Sequence, residues 1–349
     1  MFDDIKPLWA SDGYSMSRRE AIIAIAALPT MLLTAIQKGH RSALVKQEFL
    51  LRCSASVAAC WHLMAGCDFT EVEEAVTPYL PVLAKWSQEP SEFQQQSAYL
   101  AAQGYMLLGL VALHTQRAPR NLHQRLAHCR QAVEYSKVSG DPALYVAAVK
   151  HLALSHHGVG RYADMLLIQQ TAMRVLNEVS PLIQSKIYSD LAHAYAKNGQ
   201  TQETLRAIEQ AREKLPASID YVPIYLSSDI GLFDCLFAEG VAHLALGEYD
   251  PQGKHYEQAT KALTEVEQLE TFIPERIRME IINTHTLAFL KMSDLDQFHS
   301  YLQQGIRGAH ALHSEKRLHE AMDMYRQARL RWPDETRIRD LAELFVSMN

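Results

Sequence analysis

The sequence predicts an all-α protein built from antiparallel helix pairs that stack on one another. Apolar residues recur at spacings of three and four along most of the 349-residue chain, whereas the period-two alternation of strands is scarce. Glycine and proline number 15 and 13, which is too few for long disordered linkers, and hydrophobic residues make up 48%. The helical segments recur in pairs, and a pair that cannot bury its apolar face alone must pack against a neighbour.

Residues 185–218 show this repeat most clearly. If Ser185 takes the first place of a 34-residue unit, the large side chains of the first helix fall at places four, seven and eleven (Tyr188, Leu191 and Tyr195). Ala192 at place eight leaves room for the partner helix, and Gly199 ends the first helix. The second helix carries Ile208, Ala211 and Pro216 at places 24, 27 and 32, and Thr204 stands where the pattern has alanine. This spacing resembles the tetratricopeptide repeat, which implies a right-handed superhelix of stacked antiparallel helix pairs.

Similar units occur on both sides of the central one, at intervals of roughly 34 to 45 residues. In each of the clearer units the residue at place eight is small: these residues are Gly109, Ala153 and Gly240. We predict first helices over residues 91–113, 143–157, 232–246 and 275–291, and second helices over 122–139 and 295–312, with a loop at 250–254. The next helix repeats the second-helix pattern through Ala321, Tyr325, Ala328 and Pro333.

The ends of the chain differ from this array. A helix over 45–63 precedes one over 70–86, which Pro78 and Pro81 should kink or interrupt. We therefore predict a tail at 1–16, N-terminal helices that pack on the array at 17–90, repeats at 91–334 and a capping helix at 335–349.

Ser17, Arg18, Arg19 and Glu20 precede an apolar run over 21–36 and allow two interpretations. Two arginines before an apolar segment resemble a twin-arginine export signal, although Ala21 and Ile22 depart from it and no small-x-small cleavage site follows. Alternatively, Ser17 and Glu20 form a capping box at the start of a packing helix. We favour the packing helix, and with it a cytoplasmic location; self-association through this helix is a further expectation.

Composition argues against several classes of protein. The net charge is −6 and no basic block is present, so we expect no nucleic-acid partner. The apolar run at 21–36 is short for a membrane span and contains Pro29, so we expect no membrane partner either. Five scattered cysteines do not form a disulfide framework and favour a reducing compartment.

No residue pattern points to catalysis, a metal or a cofactor. His151 and His156 are five residues apart, about 140° round a helix, and so do not share a face. Cys53, Cys60 and Cys67 do share a face, but heptad spacing separates them by about 10 Å per step, too far for one ion. Phosphate-binding glycine loops, nucleophile elbows and kinase signatures are missing. We therefore expect a non-catalytic protein without a cofactor.

The concave side of the predicted stack is the candidate binding surface, because first helices line the groove of such arrays. Eight residues fall on the groove-facing places of these helices, or on the equivalent helix near the C-terminus: Lys150, His157, Lys186, Ser189, His193, Lys197, Arg278 and Asn283. The cations among them favour an acidic segment or a peptide's C-terminal carboxylate as the partner.

Five short segments carry a wider resemblance: residues 16–22, 60–63, 102–105, 131–136 and 274–278. Together they resemble the C-terminal sensor region of large bacterial helix-turn-helix transcription regulators, over about residues 16–349. The DNA-binding module that precedes the repeats in that family is not found in this sequence. The resemblance therefore implies partner or peptide sensing and not DNA binding. Two functions stay open: an interaction scaffold that binds a protein or peptide, and a sensor whose superhelix changes shape when a peptide binds.

Overall fold

The computed structural model describes residues 33, 34, 36, 42–115, 119–219, 221–227, 229–269 and 273–346. Ser17, Arg18, Arg19 and Glu20 lie outside these residues, so both interpretations of the N-terminal segment stay open. Within the described residues the chain is all-helical and contains no strand, which confirms the predicted fold class at that level.

Sixteen α-helices follow one another in the described residues. They are α1 (Ala43–Ala65), α2 (Phe69–Val76), α3 (Leu80–Gln88), α4 (Gln94–His114), α5 (Pro119–Ser139), α6 (Pro142–His157), α7 (Tyr162–Gln170), α8 (Pro181–Lys197), α9 (Thr201–Lys214), α10 (Leu232–Tyr249), α11 (His255–Glu267), α12 (Glu275–Met292), α13 (Leu295–Ala311), α14 (Glu315–Arg331), α15 (Thr336–Asp340) and α16 (Ala342–Val346).

Local sequence explains where these helices begin and end. Pro142 and Pro181 occupy the first turn of α6 and α8, where their missing N–H groups cost no helical hydrogen bond. The Asp141 carboxylate caps α6 by accepting a hydrogen bond from the Leu144 backbone N–H at 2.9 Å. Gly199 adopts a φ of 68°, which allows the tight turn between α8 and α9.

Pro78 falls in the break between α2 and α3, as the sequence predicted.

The two helices of a pair approach closely at the small residues of place eight. A Cβ on Gly109 of α4 would lie 2.9 Å from the Cys129 Sγ atom on α5. A Cβ on Gly240 of α10 would lie 2.8 Å from the Leu263 Cγ atom on α11. These distances are shorter than van der Waals contact, so both sites require glycine at the present helix spacing.

Alternate helices also contact one another, which gives the molecule an inner layer. The chain of contacts runs α4, α6, α8, α10, α12 and α14, and α14 also contacts α4. We call these six the inner helices. Helix α14 has the sequence pattern of a second helix, yet it contacts the inner helix α12 as well as its neighbour α13. The predicted single capping helix is divided in two, with Leu341 between α15 and α16.

Candidate functional site

The predicted groove residues of α6 and α8 come together on the inner helices. The rings of His157 and His193 lie 5.1 Å apart between their centroids. The Lys197 Nζ atom lies 5.7 Å from the centroid of the Tyr162 ring and 3.7 Å from the nearer Glu248 carboxylate oxygen. About 16% of the Lys197 side chain is exposed, and its distance to a carboxylate is longer than those of Lys150 and Lys186.

Lys186 is instead committed to carboxylates of the chain itself. Its Nζ atom lies 2.7 Å from the Asp190 Oδ1 atom and 3.0 Å from the Asp234 Oδ2 atom, and the side chain is 2% exposed. Burial favours the neutral amine, yet the two carboxylates outweigh it and raise the pKa of Lys186. Burial raises the pKa of Asp234 to about 6, against the opposing effect of Lys186. Any ligand that binds Lys186 must therefore displace two buried carboxylates.

Lys150 forms a second internal ion pair. Its Nζ atom lies 2.9 Å from the Asp229 Oδ2 atom, and the lysine is 9% exposed. Although burial alone would raise it, the pKa of Asp229 is lowered, with Lys150 as the strongest opposing cause. The pairs of Lys150 and Lys186 thus neutralise much of the charge that the sequence suggested for ligand binding.

The polar groups of Ser189, His157 and His193 are only partly satisfied. Among the described residues, the buried Nε2 atoms of both histidines have no hydrogen-bond partner, and the Ser189 hydroxyl has only the Cys235 thiol beside it. Burial lowers the pKa of His157 to about 4, and Lys197 adds to this shift. Burial also places the pKa of His193 well below its ordinary value. Both rings are therefore neutral near pH 7, and each can offer a hydrogen bond to a ligand.

The two predicted residues of α12 have different environments. Asn283 is buried and donates from its Nδ2 atom to the Arg317 carbonyl oxygen and to the Glu320 carboxylate, both at 3.1 Å. Arg278 is exposed and pairs with Glu275 of its own helix at 2.8 Å. Arg278 therefore lies on the exposed side of α12, whereas Asn283 is buried against α14.

A set of charged residues on the inner side was missed by sequence reasoning. It consists of Arg125, Asp229, Asp234, Arg276, Glu280, Lys316, Arg317 and Glu320. Helical arithmetic could have found Arg276, since it lies seven residues before Asn283 and so shares its face, while Arg278 is five residues away and does not. The charged residues of α5 and α14 belong to this set because the fold brings distant segments together. The sequence around each of them shows no pattern that predicts this.

The described residues contain no group of three or more His, Cys, Asp or Glu side chains that could hold a metal ion. All five cysteines are unpaired. Burial raises the pKa of Cys60 to about 12 and raises that of Cys53 still further, so neither thiol is reactive at neutral pH. Among the described helices, none is long and apolar enough to cross a lipid bilayer.

Comparison with known proteins adds no assignment to this picture. No family model, no curated protein and no solved structure matches the chain.

Proposed function

We propose that the chain is a non-catalytic, tetratricopeptide-like module that binds an extended protein or peptide segment on its inner helices. The observation that carries the proposal is the convergence of His157, His193 and Lys197 from two successive inner helices. The contacts between alternate helices and the glycines at place eight support the tetratricopeptide-like interpretation. A cytoplasmic setting, consistent with five free thiols, is part of the proposal.

The burial of the inner side chains limits what the partner can be. Lys150, Lys186 and Ser189 are each less than one-tenth exposed, so a folded domain cannot reach them without opening the stack. An extended chain can lie along the exposed edge at Lys197, where an acidic side chain or a terminal carboxylate would replace Glu248.

Fluorescently labelled acidic peptides test this proposal. We expect an acidic peptide to bind, a basic one of the same length not to bind, and Lys197→Ala to weaken the acidic complex by about tenfold, because one charge-assisted contact is lost. Lys214→Ala is the matched control, since the Lys214 Nζ atom also lies 3.7 Å from a carboxylate oxygen, on α9, which is not one of the inner helices. Equal affinity of both variants for the peptide would contradict the proposed surface.

A sensor function, of the kind that the regulator resemblance implies, is the second candidate. The contact between α14 and α4 favours it, because this contact joins the two ends of the inner layer and a ligand that loosens it would change the molecular shape. Small-angle scattering with and without a bound peptide separates the two functions. A scaffold keeps its radius of gyration, and a sensor changes it.

A further inference from the structure

A pocket opens to solvent between the end of α9, the start of α10 and the end of α11. Its volume is about 450 Å³, which is within the range of pockets that hold a ligand. We call it the side pocket. It is lined by Arg212, Leu215, Leu232, Cys235, Leu236, Glu265, Gln268 and Leu269. Because half of these residues are leucines, the side pocket suits an apolar group.

The apolar rim of the side pocket is only partly covered by the chain itself. Leu232, the first residue of α10, is 47% exposed. Ile219 is 45% exposed and lies close by, because a Cβ on Gly231 would be 3.5 Å from the Ile219 Cδ1 atom. Two large aliphatic side chains at one opening form a patch, and patches of this kind mark sites of interaction.

The charged groups of the side pocket leave one negative charge uncompensated. Arg212 pairs with Glu239 of α10, with a nitrogen–oxygen distance of 2.7 Å. Glu265 lines the same pocket, and it forms no ion pair with any residue in the part of the chain that the structure describes. The side pocket is therefore complementary to an apolar group that carries a positive charge beside it.

This combination occurs on the surface of the same chain, at the end of α14. Leu330 is 85% exposed, more than any other large apolar residue that the structure describes. It stands between two exposed arginines, Arg329 and Arg331. The Arg331 guanidinium lies over the Trp332 ring, 5.9 Å from its centroid, whereas Arg329 forms no ion pair within the described ranges. We call Leu330 and Arg329 the α14 tip.

We propose that the side pocket binds the α14 tip of a second copy of this chain. Leu330 enters beside Leu232 and Leu236, and the Arg329 guanidinium pairs with the Glu265 carboxylate. The exposure of Leu330 shows that it does not fill a pocket of its own chain. The two surfaces differ, so each copy offers a tip to one neighbour and a pocket to another, and association proceeds head to tail.

This contact is independent of the proposed peptide binding. It uses none of the residues that were assigned to the peptide, and it recognises an apolar group next to a cation instead of an acidic chain. A polar basic peptide lacks the apolar side chain and does not fill the side pocket. Because the tip presents a single large apolar side chain, we expect the association to be weak and to depend on protein concentration.

Sedimentation equilibrium of the full chain over a series of concentrations tests the contact. We expect the average mass to rise with concentration, and added salt to reduce this rise by screening the pair of Arg329 and Glu265. Leu330→Glu and Leu232→Glu should each weaken association by about tenfold or more, because a carboxylate replaces the apolar group that is buried in the contact. A glutamate in the first turn of α10 suits the helix dipole, so Leu232→Glu should fold.

Leu205→Glu is the matched control. Leu205 lies on α9 with 40% exposure, close to the exposure of Leu232, but it does not line the side pocket. We expect this variant to associate as the wild type does. Circular dichroism of the three variants confirms that each is folded before its mass is compared.

Mixing the variants tests the head-to-tail arrangement. The chain with Leu330→Glu keeps an intact pocket, and the chain with Leu232→Glu keeps an intact tip. We expect each to remain monomeric alone and an equimolar mixture to form a dimer that grows no further. The charge exchange Arg329→Glu should weaken the contact, and Glu265→Arg in the partner copy should restore it.

Four outcomes overturn the proposal: the wild type stays monomeric at every concentration, Leu330→Glu associates as the wild type does, Leu205→Glu weakens association as strongly as Leu232→Glu, or the mixture of the two variants stays monomeric. If a peptide with leucine between two arginines binds the side pocket while the wild type stays monomeric, the occupant is another protein. Failure of acidic peptides to bind removes the proposed function and leaves this contact untouched.

Discussion

Lys186 is the residue whose surroundings have the clearest energetic consequence. Its ammonium group neutralises Asp190 and Asp234 in a place where water has almost no access. We predict that Lys186→Met lowers the free energy of unfolding by about 3–5 kcal/mol, because it leaves two buried carboxylates without a cation. Urea unfolding at pH 7 measures the loss.

Lys197→Met is the comparison for that prediction, since Lys197 is partly exposed and its carboxylate is 3.7 Å away. We expect it to cost less than about 1 kcal/mol. Similar losses for the two variants would mean that the buried ion pairs of Lys186 add little to stability.

Residue roles were the hardest part to predict from the sequence. The inner positions of Lys186 and His193 follow from the repeat spacing, but that spacing says nothing of Asp229 and Asp234, which lie some 40 residues further along the chain. The carboxylates decide whether a lysine is free or paired, and they come from segments that only the folded chain brings together. Arg278 was expected beside Asn283, but the two are five residues apart, about 140° round the helix, and so do not share a face.

At the scale of elements, sequence and structure agree closely. The helices predicted at 143–157 and 232–246 are observed as α6 and α10, and the predicted loop at 250–254 separates α10 from α11. Proline, glycine and capping side chains act within a few residues, so a sequence shows their effects directly. The break at Leu341 was not predicted, because no proline or glycine marks it.

The close approach of α10 and α11 at Gly240 gives a prediction for a helix pair. We expect Gly240→Leu to lower the free energy of unfolding by about 1–3 kcal/mol or more, because its side chain must displace Leu263 from a buried interface. Gly240→Ala should cost less, since alanine favours the helix by about 1 kcal/mol and offsets part of the clash.

Gly158→Ala at the end of α6 is the control for this pair, because a Cβ there meets its neighbours at ordinary distances of 3.6 Å or more. Urea unfolding of the three variants should rank Gly240→Leu as the least stable. If Gly240→Leu were as stable as Gly158→Ala, the two helices would not be in the close contact described here.

At the scale of the whole molecule, buried neutral histidines predict acid sensitivity. Burial lowers the pKa of His151 to about 3 and the pKa values of His157 and His243 to about 4, from 6.5. Between pH 6.5 and pH 4 the unfolded chain therefore binds more protons, and stability falls as the pH falls. The raised pKa of Asp234, about 6, acts in the opposite direction over pH 6 to 4, but it is one group against three.

We expect the free energy of unfolding to decrease by at least about 2 kcal/mol between pH 7 and pH 4.5, since each unit of pKa shift is worth about 1.4 kcal/mol. Urea titrations at several pH values measure this slope. His151→Gln should reduce it, and His123→Gln, at an exposed position of α5, should leave it unchanged. A flat pH profile would show that the buried rings are not neutral.

The contact of α14 with α4 is the feature of the whole molecule that local sequence could not reveal. Repeat spacing predicts that neighbours stack, but curvature accumulates from small rotations at every pair, and no single residue encodes whether distant pairs meet. Lys316 and Arg317 of α14, which help to lower the pKa of His114 on α4, are absent from the predicted site for the same reason.

This contact also has a consequence for the order in which the molecule assembles. It joins helices separated by two hundred residues of chain. Closing so large a loop costs more conformational entropy than pairing two helices that follow each other directly in the chain. The hairpins can therefore form early from local contacts, while the junction of α4 and α14 should be the last part to appear on refolding and the first to open by local fluctuation.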